Sequence, residues 1–579
     1  IAFVMRGSGV QVTQAAPFPF RTTPWLTIDS RRARFPCGWC FGIRPTRLQN
    51  KASVQILKLA TIRQRWAFSL PLNACQTRLF LRRKDPLTIK PVKVELRTTA
   101  DVSLRSYPIL RNFSFFAAAH VISALTGIVT VAIVARALGP EAYGILGFSI
   151  AILAYLGLAT NLGTDTHGVR QIAQDESSLG ATAGIALTQR TIMAVFCLLS
   201  LICTLAIMRP GPEITAVLLI QSMGLFFIAW NMDFALQGLQ RIGAIAMRQI
   251  FAAVMVMIAT FWLIDGREDL YTAAAIPAVV NLLSAGLLLA HFKGTGFTLQ
   301  FGHAYKIHWD FLRQSLPVTL MGFLLTIHVN VDIILLGLMR PASDVGLYTA
   351  ASRLFIMVLI VTGILQSVFL PLLSKAGPSA DGRHAEADAY AQIVCWVGGA
   401  VLIGGTTLSG PVLALLFGNA FIGVETALTI LMVSAALTYL SHAYGTPFLA
   451  WKSDRAYLKI IAIGAVVNFG LNIILIPNFG VEGAAIATLI AQSVILICLA
   501  MIVRAAFQLS HLRLMIKLII LAGLIALPLV LSSLAFSNLN PVVLFLAGCF
   551  AIGIYTGLAC WFKIIRISKI RYILNPTLD

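Results

Sequence analysis

Charge of either sign is scarce in this chain, and negative charge scarcest: 12% of its 579 residues are charged, with 23 Asp and Glu against 44 Lys and Arg. An average soluble domain carries about a quarter charged residues, so a water-soluble fold is excluded. Apolar residues fill the gap, at 58% of the chain, with a mean hydropathy of +0.85. The net charge of +21 invites a nucleic-acid partner, but residues 1–100 hold 18 Lys and Arg against 3 Asp and Glu. The basicity is mostly a property of that tail, and no nucleic acid is implied.

Other absences narrow the function. Of nine cysteines, six (Cys197, Cys203, Cys395, Cys498, Cys549 and Cys560) sit inside apolar runs, where they read as small hydrophobes and not as a disulfide framework. No Walker-type Gly-Lys-Ser/Thr sequence occurs, so ATP is not the implied energy source. Neither catalytic residues, nor a metal cluster, nor a cofactor motif stands out. No connection is long enough to form an extramembrane domain, the longest outer one running from about Gly410 to Gly423. A membrane enzyme such as a polymerase or ligase would want a sizeable outer loop carrying catalytic residues.

What is present is a succession of apolar runs. A bilayer core about 30 Å thick takes roughly 20 helical residues to cross. Such runs lie near 112–136, 143–163, 183–208, 213–235, 243–264, 270–291, 314–338, 347–373, 390–408, 424–449, 456–476, 481–503, 514–536 and 541–562. The spacing predicts an all-α membrane protein of about fourteen transmembrane helices. With the N-terminus inside, twenty Lys and Arg fall on the inner side and four (Arg136, Arg209, Arg267 and Arg340) on the outer. That bias predicts cytoplasmic termini, and it favours an even helix count.

The chain also repeats itself. Arg136-Ala137-Leu138-Gly139-Pro140-Glu141-Ala142-Tyr143-Gly144 is echoed by Arg340-Pro341-Ala342-Ser343-Asp344-Val345-Gly346-Leu347-Tyr348, and Gln237 to Arg241 by Ala450 to Arg455. Two echoes at nearly one offset predict two six-helix units. Six is even, so the units run parallel, a transporter architecture with substrate between the lobes. The expected divisions are 1–104, a basic extension; 105–300, an N-lobe; 301–505, a C-lobe; and 506–579, two further helices and a basic cytoplasmic tail.

The Arg136–Gly144 turn, Asp344 to Leu354, Phe369-Leu370-Pro371-Leu372-Leu373-Ser374, and the run from Asn468 through Asn472 to Ile476-Pro477-Asn478-Phe479-Gly480-Val481-Glu482-Gly483 and on to Thr488 carry a family resemblance. In their order and spacing they resemble the polysaccharide and oligosaccharide (O-antigen type) flippases. That family lies in the superfamily that also holds lipid II flippases and multidrug and toxin extrusion transporters. The resemblance covers roughly residues 105 to 570. It implies a bacterial inner-membrane protein, not an enzyme, that turns a polyprenyl-diphosphate-linked oligosaccharide to the outer leaflet for surface polysaccharide assembly, beside glycosyltransferases and a polymerase. A cation-coupled multidrug exporter and a lipid II flippase are the alternatives within the superfamily.

Charges inside the spans are the candidate functional residues, because each costs at least about 2.5–3.5 kcal/mol to insert. Arg190, Arg353 and Arg248 are candidate substrate-binding residues, their planar donor forks matching a diphosphate. Snorkelling and pairing with a carboxylate are the alternatives. Asp332, Asp233 and Asp165 are candidate coupling or counter-ion residues: Asp332 as partner of Arg353 or as a cation site, the other two also readable as solvated helix ends. His328 shares a helix face with Asp332 and reads as a packing residue or a proton relay. Asn281, Asn468, Asn472 and Gln492 are expected to hydrogen-bond between helices.

The first hundred residues show no sustained period and are expected to form no regular fold. Their basicity suits anionic lipid. Cys37-Gly38-Trp39-Cys40 has the spacing of a redox or zinc half-site but no second pair. The stretch reads as an organelle leader or as upstream sequence translated through a misplaced start; after Met5 no Met follows until Met193.

Overall fold

The computed structural model describes residues 2–6, 9–13, 100–294, 298–302, 305–376, 380–451, 454–507, 511–535 and 541–565. Its contacts divide the chain into Ile1–Tyr107 and Pro108–Asp579. In the first unit, strands β1 (Ala2–Arg6) and β2 (Gly9–Thr13) pair antiparallel, from Ala2 opposite Thr13 to Arg6 opposite Gly9. Phe3, Val4, Val10 and Val12 are strand formers on these two segments. Cys37 and Cys40 lie outside the described residues.

The rest is helical: α1 (Ala100–Asn161), α2 (Thr164–Gln174), α3 (Leu179–Met208), α4 (Pro212–Ser222), α5 (Gly224–Trp230), α6 (Asp233–Gly238), α7 (Ile242–Leu263), α8 (Leu270–Gly294), α9 (Tyr305–Met339), α10 (Ala342–Ala376), α11 (Ala380–Phe417), α12 (Glu425–Trp451), α13 (Asp454–Phe507), α14 (Leu512–Ala535) and α15 (Pro541–Trp561). Among the described residues eleven helices are long and apolar enough to cross a membrane, or up to twelve if a bent pair within α9 is one span. Two of these runs, Ile122–Gln174 and Arg455–Phe507, are 53 residues long. At 1.5 Å per residue either would measure about 80 Å if straight, far more than a bilayer core. Each is broken at a glycine. Gly139 has φ 72, ψ 173 and Gly480 has φ 56, ψ −126, conformations that a Cβ strongly disfavours. Large apolar side chains such as Phe261, Trp262, Leu524 and Phe550 point outward, as lipid permits and water would not.

Three departures from the expected spans have local causes. Residues 164–174, expected as a connection, form α2, because Leu162 (φ 51) and Gly163 (φ 66) turn the chain and the short helix buries Gly168 and Ile172. The expected single helix 213–235 is broken at Asn231–Met232, where the Asn231 side chain accepts the Asp233 backbone N–H at 3.1 Å and starts α6. Helix α11 continues through Pro411 to Phe417, so the Gly410–Gly423 connection is shorter than expected. Proline is tolerated inside membrane helices, where neighbours re-satisfy the freed backbone groups.

Packing is uneven from end to end. One core joins both halves of the chain around the turns at 139, 211, 266, 341, 418 and 480: Leu138, Tyr143, Val217, Ile264, Val345, Phe421 and Ile476 all belong to it. Near the opposite turns two separate cores form. One holds Ile172, Leu187, Phe234, Leu288 and Phe311; the other holds Phe369, Tyr390, Phe448, Leu499, Met515 and Tyr555. Helix α9 links the ends: its segments Ile307–Leu324 and Val329–Met339 meet at 59°. Phe311 packs with the first half and Leu336 with the shared core.

Candidate functional site

The structure gathers the intramembrane polar residues into two clusters. In the first half, the turn at 162–163 puts Thr164 and Asp165 at the start of α2, facing α3. Arg190 of α3 is 1% exposed. Its Nε donates to Thr164 Oγ1 at 2.5 Å, Nη2 to Asp165 Oδ1 at 2.6 Å and Nη1 to the Asn231 carbonyl at 3.2 Å. The guanidinium also lies over the Phe234 ring, 4.8 Å from its centroid. Asp165 takes a second bond from Asn161 Nδ2 at 2.7 Å. Next to it, Arg248 of α7 makes a two-pronged pair with Asp233, Nε to Oδ1 at 2.9 Å and Nη2 to Oδ2. Asn231 Nδ2 supports the same carboxylate at 3.2 Å. The break before α6 thereby ties both arginines into one network, two cations balanced by two carboxylates.

The second cluster lies where α9, α10 and the two arms of α13 meet. Asp332 is 4% exposed. Its carboxylate accepts from Tyr348 Oη at 2.7 Å, Asn472 Nδ2 at 2.7 Å and Thr488 Oγ1 at 2.8 Å. Asn468 bridges to Thr488 at 3.3 Å and accepts from Asn472. The Gly480 break lets Asn472 and Thr488, on opposite arms of α13, reach one carboxylate. Asn472 Oδ1 is buried without a partner. Among the described residues no cationic side chain pairs with Asp332.

Of the two readings of Asp332, partner of Arg353 or cation site, the structure does not bring Arg353 to its carboxylate. Tyr348 and Arg353 are five residues apart, about 140° round a helix, so when Tyr348 faces Asp332, Arg353 faces elsewhere. Arg353 lies beside the Tyr143 hydroxyl of α1, and among the described residues it joins no ion pair. Thus the six candidate residues fall into three settings: Arg190 with Asp165 and Arg248 with Asp233 in paired charge, Asp332 in a neutral polar cage, and Arg353 without a carboxylate. The His328 side chain lies outside the described residues. Asn468, Asn472 and Gln492, the last donating to Ser441 at 3.0 Å, bond between helices as expected. The sequence assigned no role to Tyr143, Tyr348 or Thr488, although all three stand in the segments that carry the family resemblance.

A bundle of membrane-spanning helices with its polar groups gathered in two internal clusters is the build of a multi-pass transporter. Residues 109–376 match the family described as "Polysaccharide biosynthesis protein". The chain is 21% identical over 422 residues to the "Putative O-antigen transporter" of Escherichia coli K12, covering 68% of this chain and 96% of that one. It is 31% identical over 172 residues to the "Probable flippase AglR" of Haloferax volcanii, 28% of this chain and 35% of that protein. Among solved structures it is similar to a lipid II flippase, MurJ, in an inward closed conformation (TM-score 0.63, 16% identity, 78% of this chain and 99% of that one). It is also similar to an inward-facing multidrug resistance transporter (TM-score 0.52, 17% identity, 67% and 96%). These matches support the expected family, whose model covers less than half of the chain: residues 109–376 resemble polysaccharide biosynthesis proteins, the chain is similar to an O-antigen transporter, and its fold is that of a multi-pass membrane bundle like the solved flippase.

Proposed function

We propose that the protein flips a polyprenyl-diphosphate-linked oligosaccharide from the cytoplasmic to the outer leaflet of a bacterial inner membrane, supplying a surface polysaccharide. The carrying observation is the match over residues 109–376 together with an O-antigen transporter relative aligned along 68% of the chain. In this reading each of the two 53-residue runs crosses twice, folding back at Gly139 and Gly480. With the bent α9 as one span, the count reaches about fourteen crossings and both termini are cytoplasmic. Residues 105–300 and 301–505 act as lobes that rock about the site between them.

The charges take different roles. Arg353, outside any described ion pair, holds the diphosphate; its fork geometry suits phosphate oxygens. Arg190 and Arg248, neutralised by Asp165 and Asp233, hold the helices of the first half in place around the cavity. Asp332 couples transport to a cation or proton gradient: a lone carboxylate in a neutral cage is costly when ionised, and a small cation or a proton offsets that cost. Glycosyltransferases supply the substrate and a polymerase consumes it.

The test is made in cells lacking the protein. Loss of surface polysaccharide with accumulation of lipid-linked precursor on the cytoplasmic leaflet is expected. Normal polysaccharide with new sensitivity to cationic drugs would replace this reading by multidrug export, and build-up of cell-wall lipid precursor by lipid II flipping.

A further inference from the structure

The two echoed turns touch one another, and they do so reciprocally. A methyl group built on Gly144 would lie 1.8 Å from the Ala342 carbonyl oxygen, and one built on Gly346 would lie 1.8 Å from the Pro140 carbonyl oxygen. One built on Gly147 would meet Thr349, 2.5 Å from Oγ1 and 3.1 Å from Cβ. Each partner lies 202 residues beyond the position it mirrors: 144 and 346, 140 and 342, 147 and 349. The contact is therefore related to itself by a local two-fold, with Gly147 and Thr349 where the axis passes. Glycine is needed at 144 and 346 because backbone meets backbone there, and no side chain fits between.

Three further observations mark this contact as one that closes and opens. It lies in the core shared by both halves, whereas the opposite end of the bundle has two separate cores. Thr349 Oγ1 is buried in it without a hydrogen-bond partner, a defect of about 1–3 kcal/mol that water would relieve on opening. It is also tied by a detachable clamp. Arg136 of α1 donates to the Leu415 and Leu416 carbonyls at the end of α11, a cation on a helix C-terminus joining the first half to the second.

We propose that the Gly144–Gly346 contact, with Gly147–Thr349 on its axis and Arg136 as its clamp, is the outer gate of the transporter, closed in this conformation and parted when the cavity opens outward. This rests on the orientation and alternating access proposed above.

In a full-length variant with the nine native cysteines replaced by serine, Gly147→Cys and Thr349→Cys place two thiols at near-disulfide spacing, where Cβ atoms lie about 3.5–4.5 Å apart. Oxidant applied to cells is expected to join them and reduce surface polysaccharide to the level of cells without the protein. Reductant restores it, and oxidant causes no further change in the polysaccharide made by either single-cysteine variant. A cross-linked protein with normal polysaccharide, or no cross-link in protein present at normal level, overturns the gate. If the double variant fails to reach the membrane, Thr349→Cys alone serves, labelled from outside with an impermeant maleimide. Gly144→Ala or Gly346→Ala is expected to raise that labelling by holding the turns apart, and unchanged labelling overturns the proposal. The labelling needs no transport substrate, so a failure of the flippase reading leaves polysaccharide normal in cells without the protein while the gate is still tested.

Discussion

The two polar clusters solve the same problem in opposite ways. In the first half, Arg190 and Arg248 are matched by Asp165 and Asp233, so the cluster adds no net charge; Arg190 is bonded to three residues and Arg248 forks onto one carboxylate. In the second half, among the described residues, Asp332 is bonded by hydroxyl and amide donors. A balanced network holds helices in place and gains little from a passing ion, whereas a lone carboxylate changes its energy with every proton or cation it takes up. That difference is the ground on which a coupling role is proposed for Asp332 and not for the first cluster.

Substitutions can break this contrast. The largest effect is expected from Arg190→Ala. Arg190 is buried and bonded to Thr164, Asp165 and Asn231, while Asp165 is half exposed, so the cost stays below that of a fully buried pair; the purified protein should show a lower thermal midpoint and a lower membrane level. Adding Asp165→Asn should recover part of the loss. If Arg190→Ala is as stable as the parent but inactive, the first cluster is a binding site and the contrast fails.

Asp332→Asn is expected to abolish flipping while thermal stability is unchanged or rises, because a buried charge disappears and its donors keep an amide oxygen to bond. Stability falling together with activity would make Asp332 structural. Arg353→Ala should lower flipping by about tenfold or more at normal membrane level, since a charge-assisted hydrogen bond contributes about 1.5–3 kcal/mol; Arg353→Lys should recover only part. The smallest effect belongs to Gln492→Ala, which removes one interhelical bond to Ser441. Such bonds average about 0.6 kcal/mol, and a shift near zero in the unfolding midpoint with full flipping is expected.

The helical membrane fold was legible because a bilayer imposes a length on every span, and the turns at 139 and 480 because Gly there sits beside Pro or within a run ending in Asn-Phe-Gly. Helix α2 was not legible: Thr164 to Gln174 is short and polar, and its hydrophobic face shows only against Phe234 and Phe311. Nor were the pairings. Arg190 and Asp165 are 25 residues apart, and Arg353 and Tyr143 come from different halves. Span lengths say nothing of how a helix is rotated about its axis, which packing against neighbours decides. The Asn231-x-Asp233 spacing was visible, but its meaning, an amide bonded to Asp233 and a backbone carbonyl that accepts from Arg190, needed the break in the helix.

The most direct measurement of the central claim uses the purified protein in liposomes with a fluorescent polyprenyl-diphosphate oligosaccharide, following how much label an external quencher reaches. Flipping faster than in protein-free vesicles, accelerated by a sodium or proton gradient and abolished by Asp332→Asn, is the expected result. Protected label that stays protected under both gradients, with the protein folded and inserted, would contradict the account.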